Sequence, residues 1–96
     1  MQFLVLTERR TDLFPPDQWT PELIELEANR VRALYTAGSI RSIWRRKDTP
    51  GAVILMEGTS EEEIRALVAT LPLAERGMLR FSVVTQLEPY PGFAPR

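Results

Sequence analysis

Ser39-Ile40-Arg41-Ser42-Ile43-Trp44-Arg45-Arg46, then Lys47-Asp48-Thr49-Pro50-Gly51, then Ala52-Val53-Ile54-Leu55-Met56-Glu57 is the stretch that decides the fold. The first and third segments are rich in β-branched and apolar residues and read as strands. The middle one is turn chemistry, so the three together predict a hairpin. Helical patterns flank it. Upstream, Thr20 is a good N-cap, Pro21 fits the first helical position, and Gly38 supplies a left-handed stop, which predicts a helix from Pro21 to about Ala37. Downstream, Ser60 and Glu63 form a capping box, and Glu61-Glu62-Glu63 suits the positive end of a helix dipole. Ile64, Leu67, Val68 and Leu71 give this second helix an inner face, and Pro72 is expected to end it. Gln2 to Thr7 reads as a first strand, Arg9 to Asp17 as a loop, and Met78 to Leu87 as a fourth strand. A Pro-rich tail, Glu88 to Arg96, closes the chain.

The order is βαββαβ, the ferredoxin-like plan within the α+β class, in a single domain spanning residues 1–96. Both helices should cover one sheet face. The other face needs cover too, because Ala52, Ile54 and Met56 point one way and Val53 and Leu55 the other. In strand four, Phe81 and Val83 are expected to oppose Val84. A short chain whose sheet is apolar on both faces predicts a second copy packed sheet to sheet. The expected assembly is a dimeric α/β barrel, with the tail reaching across the partner.

Composition narrows the chemistry. Ninety-six residues, 44% apolar and 26% charged, suit one soluble globular domain. A net charge of -1 argues against nucleic-acid backbone binding. No run approaches the roughly 18 apolar residues of a membrane span. The N-terminus shows no basic region and cleavage site, which points to a cytoplasmic protein. The chain has neither cysteine nor histidine. Thiol chemistry, structural zinc and imidazole catalysis are thereby excluded, leaving carboxylates, Arg, Lys, Tyr, Ser and Thr, or a bound cofactor.

Glu27 stands out against this background. At about 100° per residue, Leu23, Ile24, Val31, Leu34 and Tyr35 fall on one apolar arc of the first helix, while Glu22, Glu25, Asn29, Arg32 and Thr36 fall opposite. Glu27 projects near the middle of the apolar stripe. A carboxylate there loses water, and its pKa rises. It is either a structural group, paired with Arg30 at i+3 or with an arginine from the sheet, or a carboxylate poised for proton transfer.

The sequence resembles the muconolactone delta-isomerase family. The resemblance rests on Ala37-Gly38-Ser39-Ile40-Arg41-Ser42-Ile43-Trp44-Arg45, on Leu71-Pro72-Leu73, and on the opening Met1-Gln2-Phe3-Leu4-Val5, in that family's order. It implies a ferredoxin-like dimeric α/β barrel, often assembled into larger rings. It also implies a cofactor-free isomerase that moves a ring double bond in an unsaturated lactone by proton transfer, a role in aromatic-compound catabolism. Glu27 is similar in position to the glutamate of the family's Glu-Lys pair. The chain departs from the family's pattern at Ala28 (lysine there), at Ser42 (histidine there), at Leu4 and Leu6, and at Ala74-Glu75-Arg76-Gly77.

Four further residues are candidates for holding a small-molecule substrate. Residues 41, 43 and 45 share one strand face, so Arg41 and Arg45 flank Ile43. Either arginine would bind a carboxylate or steady an enolate oxygen, Arg41 being the preferred one; otherwise both are surface charge with Arg46 and Lys47. Trp44 is core or dimer-interface packing, or a lid over a planar ligand. Tyr35 is a core tyrosine with a wet tip or a hydroxyl donor. No metal-ligand cluster or phosphate loop is visible. The same cavity would also serve a non-catalytic binding module, or a tailoring enzyme of cyclase or monooxygenase type.

Overall fold

The expected hairpin forms, as β2 (Ile40–Arg45) and β3 (Ala52–Glu57), in a computed structural model that describes residues 1–93. Around it lie β1 (Gln2–Arg9), α1 (Pro21–Thr36), α2 (Glu61–Val68), the one-turn α3 (Pro72–Glu75) and β4 (Leu79–Gln86). The four strands form one antiparallel sheet in the order β2-β3-β1-β4, the ferredoxin-like arrangement. No helix among the described residues is long and apolar enough to cross a membrane.

Local chemistry explains the element ends. The Leu23 N–H donates to the Thr20 hydroxyl, capping α1, with Pro21 at its first position. At the other end Gly38 takes φ +85°, and the N–H groups of Gly38 and Ser39 donate to the carbonyls of Tyr35 and Leu34. That pair of bonds is a Schellman stop. In α2 the Glu63 N–H donates to the Ser60 hydroxyl, as a capping box requires. The reciprocal bond shifts by one residue: the Glu63 carboxylate accepts from the N–H and hydroxyl of Thr59, which hold its pKa below the ordinary glutamate range. Pro72 does not end α2, which stops at Val68. It instead starts α3, where its missing N–H is harmless.

Period-two alternation sorts the sheet into two faces. Phe3, Val5, Ile54 and Met56 are fully buried against Leu34, Ile64 and Val68 of the helices. A smaller cluster joins Leu23, Leu73 and Met78 to Phe14 and Trp19 ahead of α1. Leu4, Leu6, Val53 and Leu55 point to the opposite face and are only partly covered. In β4 the expected alternation fails, because a register shift skips Ser82: Leu6 pairs with Val83 and Thr7 with Phe81. The bulge puts Phe81 and Val84 together on the helix side, packed on the core, and leaves Val83 on the open face. The tail from Glu88 leaves Tyr90 and Phe93 78% and 84% exposed, and its last residues, 94–96, lie outside the described residues.

Candidate active site

Between α1, Leu71 at the start of α3, and the helix side of the sheet lies a cavity of about 290 Å³. Glu27 reaches it from α1, Thr7 and Arg9 from the end of β1, Ile43, Trp44 and Arg45 from β2, and Gly51 and Ala52 from the hairpin.

Glu27 is half-buried, and burial pushes its carboxyl above the ordinary glutamate range. Two influences oppose the rise: a hydrogen bond from the Leu73 backbone N–H to Glu27 Oε1 at 2.9 Å, and the nearby positive charge of Arg9. Leu73 is the second residue of α3, so its N–H is one of the helix-start donors with no intrahelical partner. The residue before Pro72 is Leu71, which has no side chain to cap with, and Glu27 supplies the missing acceptor from another helix. Of the two expected partners, Arg30 goes elsewhere, its Nε donating to the Thr70 hydroxyl at 3.0 Å, whereas an arginine of the sheet, Arg9 of β1, is the one whose charge acts on Glu27. Among the described residues Glu27 forms no salt bridge.

The other four sequence candidates divide. Arg45 pairs with Ala52, which sets it on the helix side, and it lines the cavity. Trp44 pairs with Val53 of the open face, stands 56% exposed on this edge strand, and borders the cavity rim. Arg41 and Tyr35 are not brought to Glu27; they share a separate depression near Gly38. Two causes separate them. A register shift between Ile40 and Ser42 leaves Arg41 without a partner on β3, so the face shared by 41, 43 and 45 is broken by a bulge. Tyr35 lies eight residues beyond Glu27, about 80° around the helix and roughly 12 Å along it, and it is 62% exposed.

Sequence reading missed Arg9. The sequence starts a loop at Arg9 by its charge and turn chemistry, whereas β1 runs two residues past Thr7. Continuing the alternation Phe3, Val5, Thr7 by one step would have put it on the inner face. Its N–H donates to the Pro50 carbonyl at 2.9 Å, and its guanidinium sits over the Trp19 ring, 5.2 Å from the centroid. Thr7 and Gly51 fix the floor. The Thr7 hydroxyl accepts from the Ala52 N–H at 3.0 Å, and a Cβ on Gly51 would fall 2.0 Å from the Thr7 carbonyl oxygen. Among the described residues no cluster of carboxylates is placed to hold a metal ion.

A half-buried carboxylate with Arg9 nearby and Arg45 on the same cavity wall, in an otherwise apolar cavity, can move a proton on a small ring and steady the charge that results. This fold is that of the ferredoxin-like protomer of the dimeric α/β-barrel class. Within that class the chain belongs to the muconolactone delta-isomerase family, which it matches over residues 1–92. Among solved structures it is similar to the 5-chloro-2-hydroxyhydroquinone dehydrochlorinase of Burkholderia phenoliruptrix AC1100 in complex with 2,5-dihydroxybenzoquinone. The TM-score is 0.63 at 21% identity, covering 92% of this chain and 94% of that one. No curated protein sequence matches the chain.

Proposed function

We propose that the protein is a cofactor-independent isomerase that shifts a double bond in a small unsaturated lactone or related ring, with Glu27 as base and proton shuttle. The observation that carries this reading is the Glu27 carboxylate itself, half-buried, raised in pKa and aimed into a cavity of ring size. In the ionised form it takes a proton from a ring carbon in conjugation with the lactone carbonyl. The electron pair left behind spreads into a dienolate, whose oxygen gathers the negative charge. Arg45, on the cavity wall, is the group that meets this oxygen, in the role first assigned to Arg41. The carboxyl then returns its proton to the other end of the conjugated system, so atoms and charge balance without a co-reactant. Burial, by raising the Glu27 pKa, makes it a stronger base toward such a carbon acid, and the Leu73 N–H keeps the carboxylate oriented between the two transfers. The family and the dehydrochlorinase, whose named reaction also acts on a small oxygenated ring, support this class of substrate.

The reading extends to assembly. The partly covered open face of Leu4, Leu6, Val53, Leu55 and Val83 packs against the same face of a second copy, with the C-terminal tail crossing to it.

The bond from Leu73 also favours a second reading, in which Glu27 merely caps α3 and the cavity binds a small molecule without chemistry. Incubating the protein with a panel of unsaturated lactones and following loss of the conjugated chromophore separates the two. Turnover abolished by Glu27→Gln supports the isomerase; no turnover on any lactone, with a ligand still bound, supports the module.

A further inference from the structure

Arg9 lines three neighbouring depressions at once. One is the Glu27 cavity. The second, about 390 Å³, runs along the β2–β3 turn and is lined also by Arg45, Arg46, Lys47 and Asp48. The third, about 350 Å³, is an apolar pocket walled by Phe14, Pro16, Trp19 and Pro50. The chain as a whole carries a net charge of -1, yet the second depression gathers four cations around one carboxylate. That carboxylate is already taken: Arg46 donates to Asp48 at 2.8 and 3.1 Å, which holds the Asp48 pKa below its ordinary range. Arg46 is also bonded to the Thr7 carbonyl. Arg9, Arg45 and Lys47 form no ion pair among the described residues.

Of these three cations only Arg9 is held in place. Its guanidinium rests over Trp19, whose indole N–H donates to the Phe14 carbonyl at 2.9 Å and whose ring meets Phe14 edge to face, 6.4 Å between centroids at 77°. Trp19 packs in turn on the buried cluster of Leu23, Leu73 and Met78. A guanidinium stacked this way keeps its planar fork of donors free and loses little motion when an anion arrives. Arg45 sits on an exposed edge strand, and Lys47 in the turn, each without such a support.

We infer that Arg9, positioned by Trp19, is the residue that sets charge specificity at this cavity: it receives the carboxylate of a ring substrate whose reacting carbon lies at Glu27. The inference rests on the proton-transfer reading of the cavity. It gives the two arginines different tasks, Arg45 toward the charge that develops during reaction and Arg9 toward the charge the substrate brings. A neutral ring of the same shape would fit the cavity and forgo the Arg9 bond. Trp19 is a positioning residue: it touches no substrate and acts through Arg9.

The test uses the intact chain and two unreactive five-membered-ring probes, 2-furoate and its uncharged amide 2-furamide, with binding followed by chemical-shift titration. Wild type should hold furoate roughly tenfold more tightly than furamide, the worth of one charge-assisted contact at a partly exposed site. Arg9→Ala should bring the two affinities together, Arg9→Lys should keep part of the preference, and Trp19→Phe should lower it about two- to threefold while leaving furamide unchanged. Arg10→Ala, which removes the same charge one residue away, should keep the preference whole. A preference that survives Arg9→Ala, one that Arg10→Ala removes equally, or the absence of any preference or binding in wild type overturns the assignment. Lactone turnover, measured separately, keeps this outcome distinct from the parent reading. An active isomerase without the preference loses only the role of Arg9, whereas an Arg9-dependent preference without turnover loses only the chemistry.

Discussion

The carboxylate of Glu27 and the backbone N–H of Leu73 meet at 2.9 Å, joining the middle of α1 to the start of α3 across 46 residues of chain. One oxygen atom thus serves as the cap of a short helix and belongs to the candidate base of the cavity. This dual use makes the side chain's shape and its charge separable by mutation.

Glu27→Gln keeps an acceptor oxygen for Leu73 and removes the charge. The fold should persist with stability equal to or slightly above wild type, while lactone turnover falls by about 10² to 10⁴. Glu27→Ala removes both and leaves the Leu73 N–H without its acceptor, at a cost of about 1–3 kcal/mol. Thermal melts and isomerisation rates on the two variants check this. A Gln variant as unstable as the Ala variant would show that the charge, not the acceptor, holds α3.

The pH dependence follows from the raised pKa of Glu27, whose first cause is burial. A carboxyl with a higher pKa folded than unfolded binds its proton more tightly in the folded chain. Its contribution to stability is fully present below the unfolded value, about 4.3, and is lost as pH rises through the folded value. Asp48 and Glu63, both lowered, act in the opposite direction: their contributions are present at higher pH and lost on acidification. Subtracting the stability of Glu27→Gln from that of wild type, pH by pH, isolates Glu27, and the difference should turn against wild type as pH rises. Over the same window kcat/KM should climb, since the base must be ionised to work. A flat difference curve would contradict the burial of this group.

Gly51 is held against the end of β1, where an added Cβ would fall 2.0 Å from the Thr7 carbonyl oxygen. Gly51→Ala must push the β2–β3 turn away from β1. Because the Thr7 hydroxyl, the Ala52 N–H and the Arg46 guanidinium all meet here, the displacement should cost about 1–3 kcal/mol and widen the cavity floor. Urea unfolding of the variant should show the loss, and lactone KM should rise with it.

The open sheet face gives the assembly prediction. Light scattering at micromolar concentration should return at least twice the 11.0 kDa of the chain. Leu55→Glu, which places a charge on that face and leaves the helix side untouched, should shift the mass to one copy. A monomeric wild type would remove the barrel as the working form.

The sequence by itself determined the element order, most caps and the position of Glu27, because these depend on interactions within a few residues. Thr20, Pro21 and Gly38 bound α1 through local hydrogen bonds and φ preferences, and a 3.6-residue period suffices to set Glu27 among Leu23, Ile24 and Val31. The family resemblance was legible in the same short segments. What tertiary structure decided were the pairings between distant residues. Bulges at Arg41 and Ser82 arise from how strands meet, and they reassigned Arg41, Phe81 and Val83 in ways that strict alternation does not show. The partner of Glu27 proved to be a backbone N–H on α3 instead of the guanidinium one turn away, because α3 starts with a proline after a leucine and brings an unfilled donor to the helix. Arg9 joined the site because Pro50 and Leu79, 41 and 70 residues away, extend β1 by hydrogen bonding and pairing, and Trp19 then catches its side chain. Periodicity can place a residue on a face, but only the packed chain fixes what that face meets.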